Sequence, residues 1–160
     1  MCRPAAALLF LLLAIQSGSA IAAVQLLQNG DFENGSSGWS GAGLSKDGCP
    51  PFGGSGALAI TSSGSAAFAQ QKVPGPLGDG EYALTGSIKV QSGSPQVEAI
   101  FIWLDGAGNE RSRDSSSISS GPAYSGFTVD AARPGAAAGL RVRISVAASG
   151  PPRSASTTSG

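Results

Sequence analysis

Two carboxylates one residue apart, Asp31 and Glu33, stand inside the stretch Asn29-Gly-Asp-Phe-Glu-Asn-Gly-Ser-Ser-Gly-Trp39. Hard acidic oxygens beside flexible turns are donors that calcium prefers, so these two are candidate ligands of a structural Ca2+. The plainer reading is that they cap turns and stay solvated. Asn29-Gly30 tolerates positive φ and marks a tight change of direction, and Phe32 and Trp39 supply large apolar anchors around it.

A second chemistry is available to the aromatics. The apolar face of a sugar ring packs well on an indole or phenol, but a large ring is equally at home in a core. Trp39, within the anchor stretch, reads as core. Trp103 lies in a run apolar on both faces, so its pattern admits either a sugar platform or the core. Tyr124, beside Gly121 and Pro122, is a more exposed candidate platform or a half-buried residue at a strand entry. Two alternating segments add polar rows, Thr85, Ser87 and Lys89 on one and Arg141, Arg143 and Ser145 on the other. If the two share a sheet, these side chains pave one surface. Hydroxyls with Lys or Arg can hydrogen-bond sugar oxygens, and the same rows also suit an ordinary solvated face.

Several chemistries are excluded or unsupported. The chain has no histidine, which removes Ser/His and Cys/His nucleophile pairs. Asp31 and Glu33 have nothing beside them to raise one carboxyl selectively, as glycoside hydrolysis requires. Gly41-Ala-Gly43 and Gly106-Ala-Gly108 lack the third glycine and the βαβ setting of a phosphate loop. No enzymatic activity is therefore expected. With ten basic and ten acidic residues, the chain favours no polyanion, and nucleic acid is not an expected partner. Asn34-Gly-Ser36 meets the N-glycosylation rule, which matters in a eukaryotic host.

The elements that must position these groups read as strands. Charged residues are 12% of 160, glycine and serine abound, and helical periodicity is hard to find, so an all-β domain is expected. Tyr82, Leu84, Gly86, Ile88 and Val90 form the clearest period-2 row, and Leu140, Val142, Ile144 and Val146 form another. Residues 97–104 are apolar on both faces except at Glu98, which predicts a central strand closed by a turn at Asp105-Gly-Ala-Gly-Asn109. Residues 57–61 and 66–73 read as hairpin partners, 40–55 as a loop, 111–121 as an edge strand or a loop, and 124–129 as a short strand. Six to eight such strands make a sandwich or barrel.

At the N-terminus Arg3 precedes an apolar segment, 5–15, and then small residues through Ala20 and Ala22, the pattern of a secretory signal peptide. Residues 1–22 are expected to be removed, 23–147 to form the domain, and 148–160, rich in Ser, Thr and Pro, to be a flexible tail or linker. The protein is then secreted, with no membrane span in the mature chain. Cleavage removes Cys2 and leaves Cys49 buried, paired with another chain, or without a mate.

The anchor stretch resembles the "N-G-x-F-E-x-G…G-W" opening of carbohydrate-binding modules of the CBM 4/9 (CenC-type) group. Gly54-Ser55-Gly56-Ala57-Leu58-Ala59-Ile60, Phe68-Ala69-Gln70-Gln71, Tyr82-Ala-Leu-Thr-Gly86, Ile102-Trp103-Leu104-Asp105-Gly-Ala-Gly108 and Pro134-Gly-Ala-Ala-Ala-Gly-Leu-Arg-Val142 resemble later segments of that family, in its order, over residues 26–147. The resemblance implies a jelly-roll β-sandwich, galactose-binding-domain-like, that binds poly- or oligosaccharide on a sheet face or loop rim. Trp103, Tyr124, Lys89 and Arg143 are the candidate glycan contacts. It also implies a structural calcium near Glu33, with carbonyl oxygen from the loop around Ser55. The family's final strand, with its Asp, has no counterpart here: either the reading frame is truncated, or the tail links to an appended domain, or the fold has lost an edge and exposes unpaired backbone. The alternative is a structural or adhesive β-sandwich spacer of an extracellular or cell-surface protein, with no sugar site.

Overall fold

The computed structural model describes residues 8–16, 24–46, 57–62 and 65–147, with backbone alone for 8–16, 24 and 46. Its regular elements are all strands: β1 (Leu8–Gln16), β2 (Val24–Gln25), β3 (Ser40–Ala42), β4 (Leu44–Lys46), β5 (Leu58–Ile60), β6 (Ala67–Lys72), β7 (Glu81–Lys89), β8 (Gln96–Leu104), β9 (Glu110–Ile118), β10 (Ser125–Ala132) and β11 (Gly139–Ala147). They form two antiparallel sheets. The first runs β10-β7-β1-β5-β4, with β2 also beside β1, and the second runs β3-β6-β11-β8-β9. The all-β sandwich expected from the sequence is the fold observed.

Alternation explains how each sheet meets the other. On β11, Leu140, Val142, Ile144 and Val146 are buried while the residues between them are half-exposed, and on β7 Tyr82, Leu84 and Ile88 are buried. These rows face each other across one core with Phe101, Trp103 and Phe32. Tyr82 of the first sheet meets Trp103 of the second edge-on, with ring centroids 5.6 Å apart at 78°, the geometry that ring quadrupoles favour. Strand β8 is internal, between β11 and β9, as its apolar faces predict, and Ile100, Ile102 and Leu104 form a separate buried cluster on its outer side.

Two expectations change, and two points left open by the sequence are decided. Residues 57–61 and 66–73 are not a hairpin: β5 pairs in the first sheet and β6 in the second, so the chain between them crosses the sandwich. Every residue of β5 is buried, whereas β6 buries only alternate residues, and an element enclosed on both faces needs an internal place. Strands β7 and β11 lie in different sheets, so the Thr85 row and the Arg141 row pave opposite outer faces. The 40–55 loop contains β3 and β4. Of the two readings of 111–121, edge strand or loop, the edge strand is observed, as β9.

The apolar segment expected as a leader forms β1, paired with all nine residues of β7. Its register sets Leu9, Leu11, Leu13 and Ile15 opposite Ile88, Gly86, Leu84 and Tyr82. On its other side β1 meets β5 near Leu8 and β2 near Ile15. Ala20, Ala22, Cys49, Ser55 and the tail 148–160 lie outside the described residues.

Candidate functional site

The anchor stretch builds itself around Asn29. Its side-chain amide donates to the carbonyls of Gly35 (2.9 Å) and Ser37 (3.0 Å) and its Oδ1 accepts from the Asn34 N–H (3.0 Å), while its carbonyl accepts from the Trp39 indole (3.2 Å). Asn29 and Phe32 both carry positive φ, 49° and 56°, a region that Asn tolerates and Phe rarely visits. Full burial of Phe32 against Trp39, 5.3 Å between centroids, holds it there. Trp39 is thus core, as expected. Asp31 and Glu33 are exposed, and Asp31 Oδ1 accepts a 3.4 Å contact from the Glu33 N–H. Among the described residues no three acid, His or Cys side chains converge.

The four candidate glycan contacts occupy three places. Trp103 is fully buried, and its Nε1 donates to Asp114 Oδ2 at 2.6 Å, so its ring faces the core rather than a ligand. Lys89 and Tyr124 meet on the first sheet's side, with the ammonium 5.5 Å from the ring centre. Tyr124 packs on Ala57 and is half-buried. Arg143 stands alone among the four on the outer face of the second sheet.

That outer face is assembled from β6, β11 and β8. Register places Phe68, Gln70 and Lys72 of β6 opposite Ser145, Arg143 and Arg141 of β11, with Ile100 and Ile102 of β8 on the far side of the two arginines. The Arg143 guanidinium lies 4.6 Å from the Phe68 ring centre. Its Nε and Nη2 donate to Gln70 Oε1 at 3.1 and 2.7 Å. Desolvation, then the neighbouring charges of Arg113 and Arg141, press its pKa below the usual arginine value. Ile102 is fully buried although it faces outward, and Arg141 and Arg113 flank it in register; their aliphatic stems are the groups able to close over it.

At the end of this face opens a cavity of about 510 Å3, lined by Lys72, Val73, Pro74, Leu104, Asp105 and the glycines of the β8–β9 turn. Asp105 shapes its rim. Its Oδ1 accepts from the Ala107 and Asn109 N–H groups, both at 2.9 Å, and those bonds, Asn109 first, hold its carboxyl below the ordinary range. The expected turn at 105–109 is present, closed by the Asp105 N–H to the Asn109 carbonyl at 2.9 Å.

Sequence reasoning missed Phe68, Gln70, Lys72 and Arg113 as parts of this surface. The alternation in 67–72 was a usable signal, since it sets Phe68, Gln70 and Lys72 on one side. Which strand lay beside them was not.

Comparison of the sequence with protein-family models and with curated proteins returns no match. Among solved structures the chain is similar to the enzymatically active domain of bacteriophage CBA120 tailspike protein 4, with a TM-score of 0.60 and 19% identity over 76% of this chain. It spans 19% of that chain's length. At this identity the likeness is one of fold. It nevertheless corrects one expectation: inactivity no longer follows for this domain, because the architecture is shared with a chain described as enzymatically active.

Proposed function

We propose that the domain engages carbohydrate on the outer face of its second sheet and the adjoining rim. The observation that carries this reading is Arg143, fixed against Phe68 and Gln70 on a face whose end, beyond Arg141, opens into a cavity lined by Lys72 and Asp105. Fixed donors next to a concave, partly apolar surface suit a polyhydroxylated ligand. The ordered segments resembling CBM 4/9 modules support the same reading. Full-length protein on a glycan array tests it, with Arg143→Ala in parallel. Binding weakened by the substitution supports the site, and an array with no retained glycan rejects it. Release of reducing ends is measured on every retained glycan, so that turnover is read alongside binding.

A second reading, a structural spacer, is favoured by the burial of both tryptophans, Trp39 at 7% and Trp103 at 0% exposure. Sugar recognition here must therefore rest on hydrogen bonds and charge more than on indole stacking. The spacer predicts no retained glycan and no effect of Arg143→Ala beyond a small change in stability.

A further inference from the structure

We infer that the ligand of this face is an acidic glycan, whose sugar carboxylates are taken by Arg143 and Arg141 with Lys72 at the rim; the inference rests on the carbohydrate reading above.

The first support is charge. The chain's formal net charge is zero, yet the residues that register to this face carry four cations, Lys72, Arg113, Arg141 and Arg143, against two carboxylates, Glu98 and Glu110. Asp105 adds a third carboxylate at the rim that Lys72 also lines, so a surplus of one cation remains on this side. Arg113 is neutralised by Glu110, its Nε 2.6 Å from Oε1. Among the described residues Lys72, Arg141 and Arg143 make no ion pair. Lys72 and Arg141 are direct cross-strand partners, and like charges directly opposite repel unless something neutralises them. An anion lying over the pair removes that repulsion.

The second support is preorganisation. Arginine presents five N–H donors in a planar fork. Gln70 takes Nε–H and one Nη2–H, which leaves three N–H groups on a guanidinium whose plane is already set by Phe68 and Gln70. A planar fork fits a carboxylate through two parallel hydrogen bonds, and the fixed side chain loses less entropy on binding. Arg141 follows two residues away on the same face, roughly 7 Å along the strand. That is the scale of neighbouring groups on a sugar chain.

The third support is the modest charge density. Between the arginines and Arg113 the face is floored by buried Ile100 and Ile102, so it combines a few cations with apolar area. A polymer with one carboxylate per ring or per disaccharide suits this better than densely charged sulfated chains or nucleic acid, which draw on longer runs of Lys and Arg.

The test uses full-length protein in affinity electrophoresis at physiological salt. Polygalacturonate, alginate and hyaluronate each run beside their carboxyl-reduced neutral counterparts, with dextran sulfate and duplex DNA as further gels. The expected result is retardation by at least one carboxylated polymer, at least tenfold weaker binding to its reduced form, and a similar loss in Arg143→Ala. Arg143→Lys keeps the charge but not the fork, and is expected to recover only part of the affinity. Should Arg143→Ala fail to fold, the exposed Lys72→Ala and the half-exposed Arg141→Ala take its place. Equal binding of neutral and carboxylated forms overturns the inference while the carbohydrate reading stands. Dextran sulfate or DNA binding at least as tight as the best carboxylated polymer overturns it in favour of a general polyanion surface. Binding of none of the polymers overturns both.

Discussion

The indole of Trp103, wholly enclosed between the two sheets, donates to the carboxylate of Asp114 on the exposed edge strand β9 at 2.6 Å. This charge-assisted bond ties the last strand of the second sheet to the largest side chain of the core.

Asp114→Ala orphans a buried N–H, and the expected cost is about 1–3 kcal/mol in urea unfolding. Asp114→Asn keeps an acceptor in place and is expected to cost less than half as much. Equal losses in the two variants would show that the amide cannot take the carboxylate's position.

Gln71, 5% exposed, joins β6 to the anchor stretch. Its Oε1 accepts from the Gln28 N–H at 2.8 Å, and its Nε2 donates to the carbonyls of Gln28 (2.9 Å) and Gly38 (3.1 Å). Gln71→Leu leaves those backbone groups unpaired, with an expected loss of roughly 2–4 kcal/mol and faster proteolysis within residues 28–38. A variant as resistant as wild type would mean that the stretch is held by Phe32 and Trp39 alone.

Asn29 does two things, hydrogen bonding and adopting φ of 49°, and two substitutions separate them. Asn29→Gly loses the bonds but accepts the angle; Asn29→Ala loses both. Alanine is expected to be about 1 kcal/mol less stable than glycine here, the reverse of their order in a regular strand. Thermal or urea midpoints of the two variants decide it.

Acid should loosen the β8–β9 turn through Asp105. Its folded pKa lies below the unfolded value because the Asn109 N–H and its neighbours favour the carboxylate. The stabilisation is therefore complete above the unfolded pKa, near 4, and fades as pH falls through the folded one. Asp105→Asn is expected to lower stability at pH 7, where the wild-type carboxylate contributes in full, and to converge with wild type as pH falls below about 4, so that the acid limb of its stability profile is flatter. An unchanged acid limb would count against the assignment.

Strand β1 is what connects β7 to β5 in the first sheet. A chain begun at residue 24 loses the nine-residue partner of β7 and bares a strand edge with the core beneath it. It is expected to unfold at a lower midpoint than the full chain and to elute as larger, concentration-dependent species in size-exclusion chromatography. Identical midpoints and elution would show that β1 is dispensable.

Much of this was legible from local pattern. The alternation of Tyr82, Leu84 and Ile88 and of Leu140, Val142 and Ile144 named two half-buried strands and their inner faces, because a strand turns successive side chains to opposite sides. Apolar residues on both sides of β8 announced an internal strand, and Asp105-Gly-Ala-Gly-Asn109 announced its turn. The Asn29 knot was legible as turns and anchors because its bonds span only a few residues.

Partnership between strands is a different kind of information. The rows of β7 and β11 read alike, and nothing in either says which sheet it joins; burial of a shared core, assembled from every strand at once, separates them to opposite sides. Trp103 could not be oriented for the same reason, since both faces of its strand are apolar and only the Tyr82 ring and the Asp114 carboxylate choose between them. Arg143 was identifiable as a donor on a polar row, but Gln70 and Phe68, which fix its fork, arrive from 73 and 75 residues earlier in the chain. The sequence by itself determined the strands, their faces and the turns, since those follow from neighbouring residues. Only the tertiary structure decided which polar rows share a surface, because that depends on pairings made across the whole length of the chain.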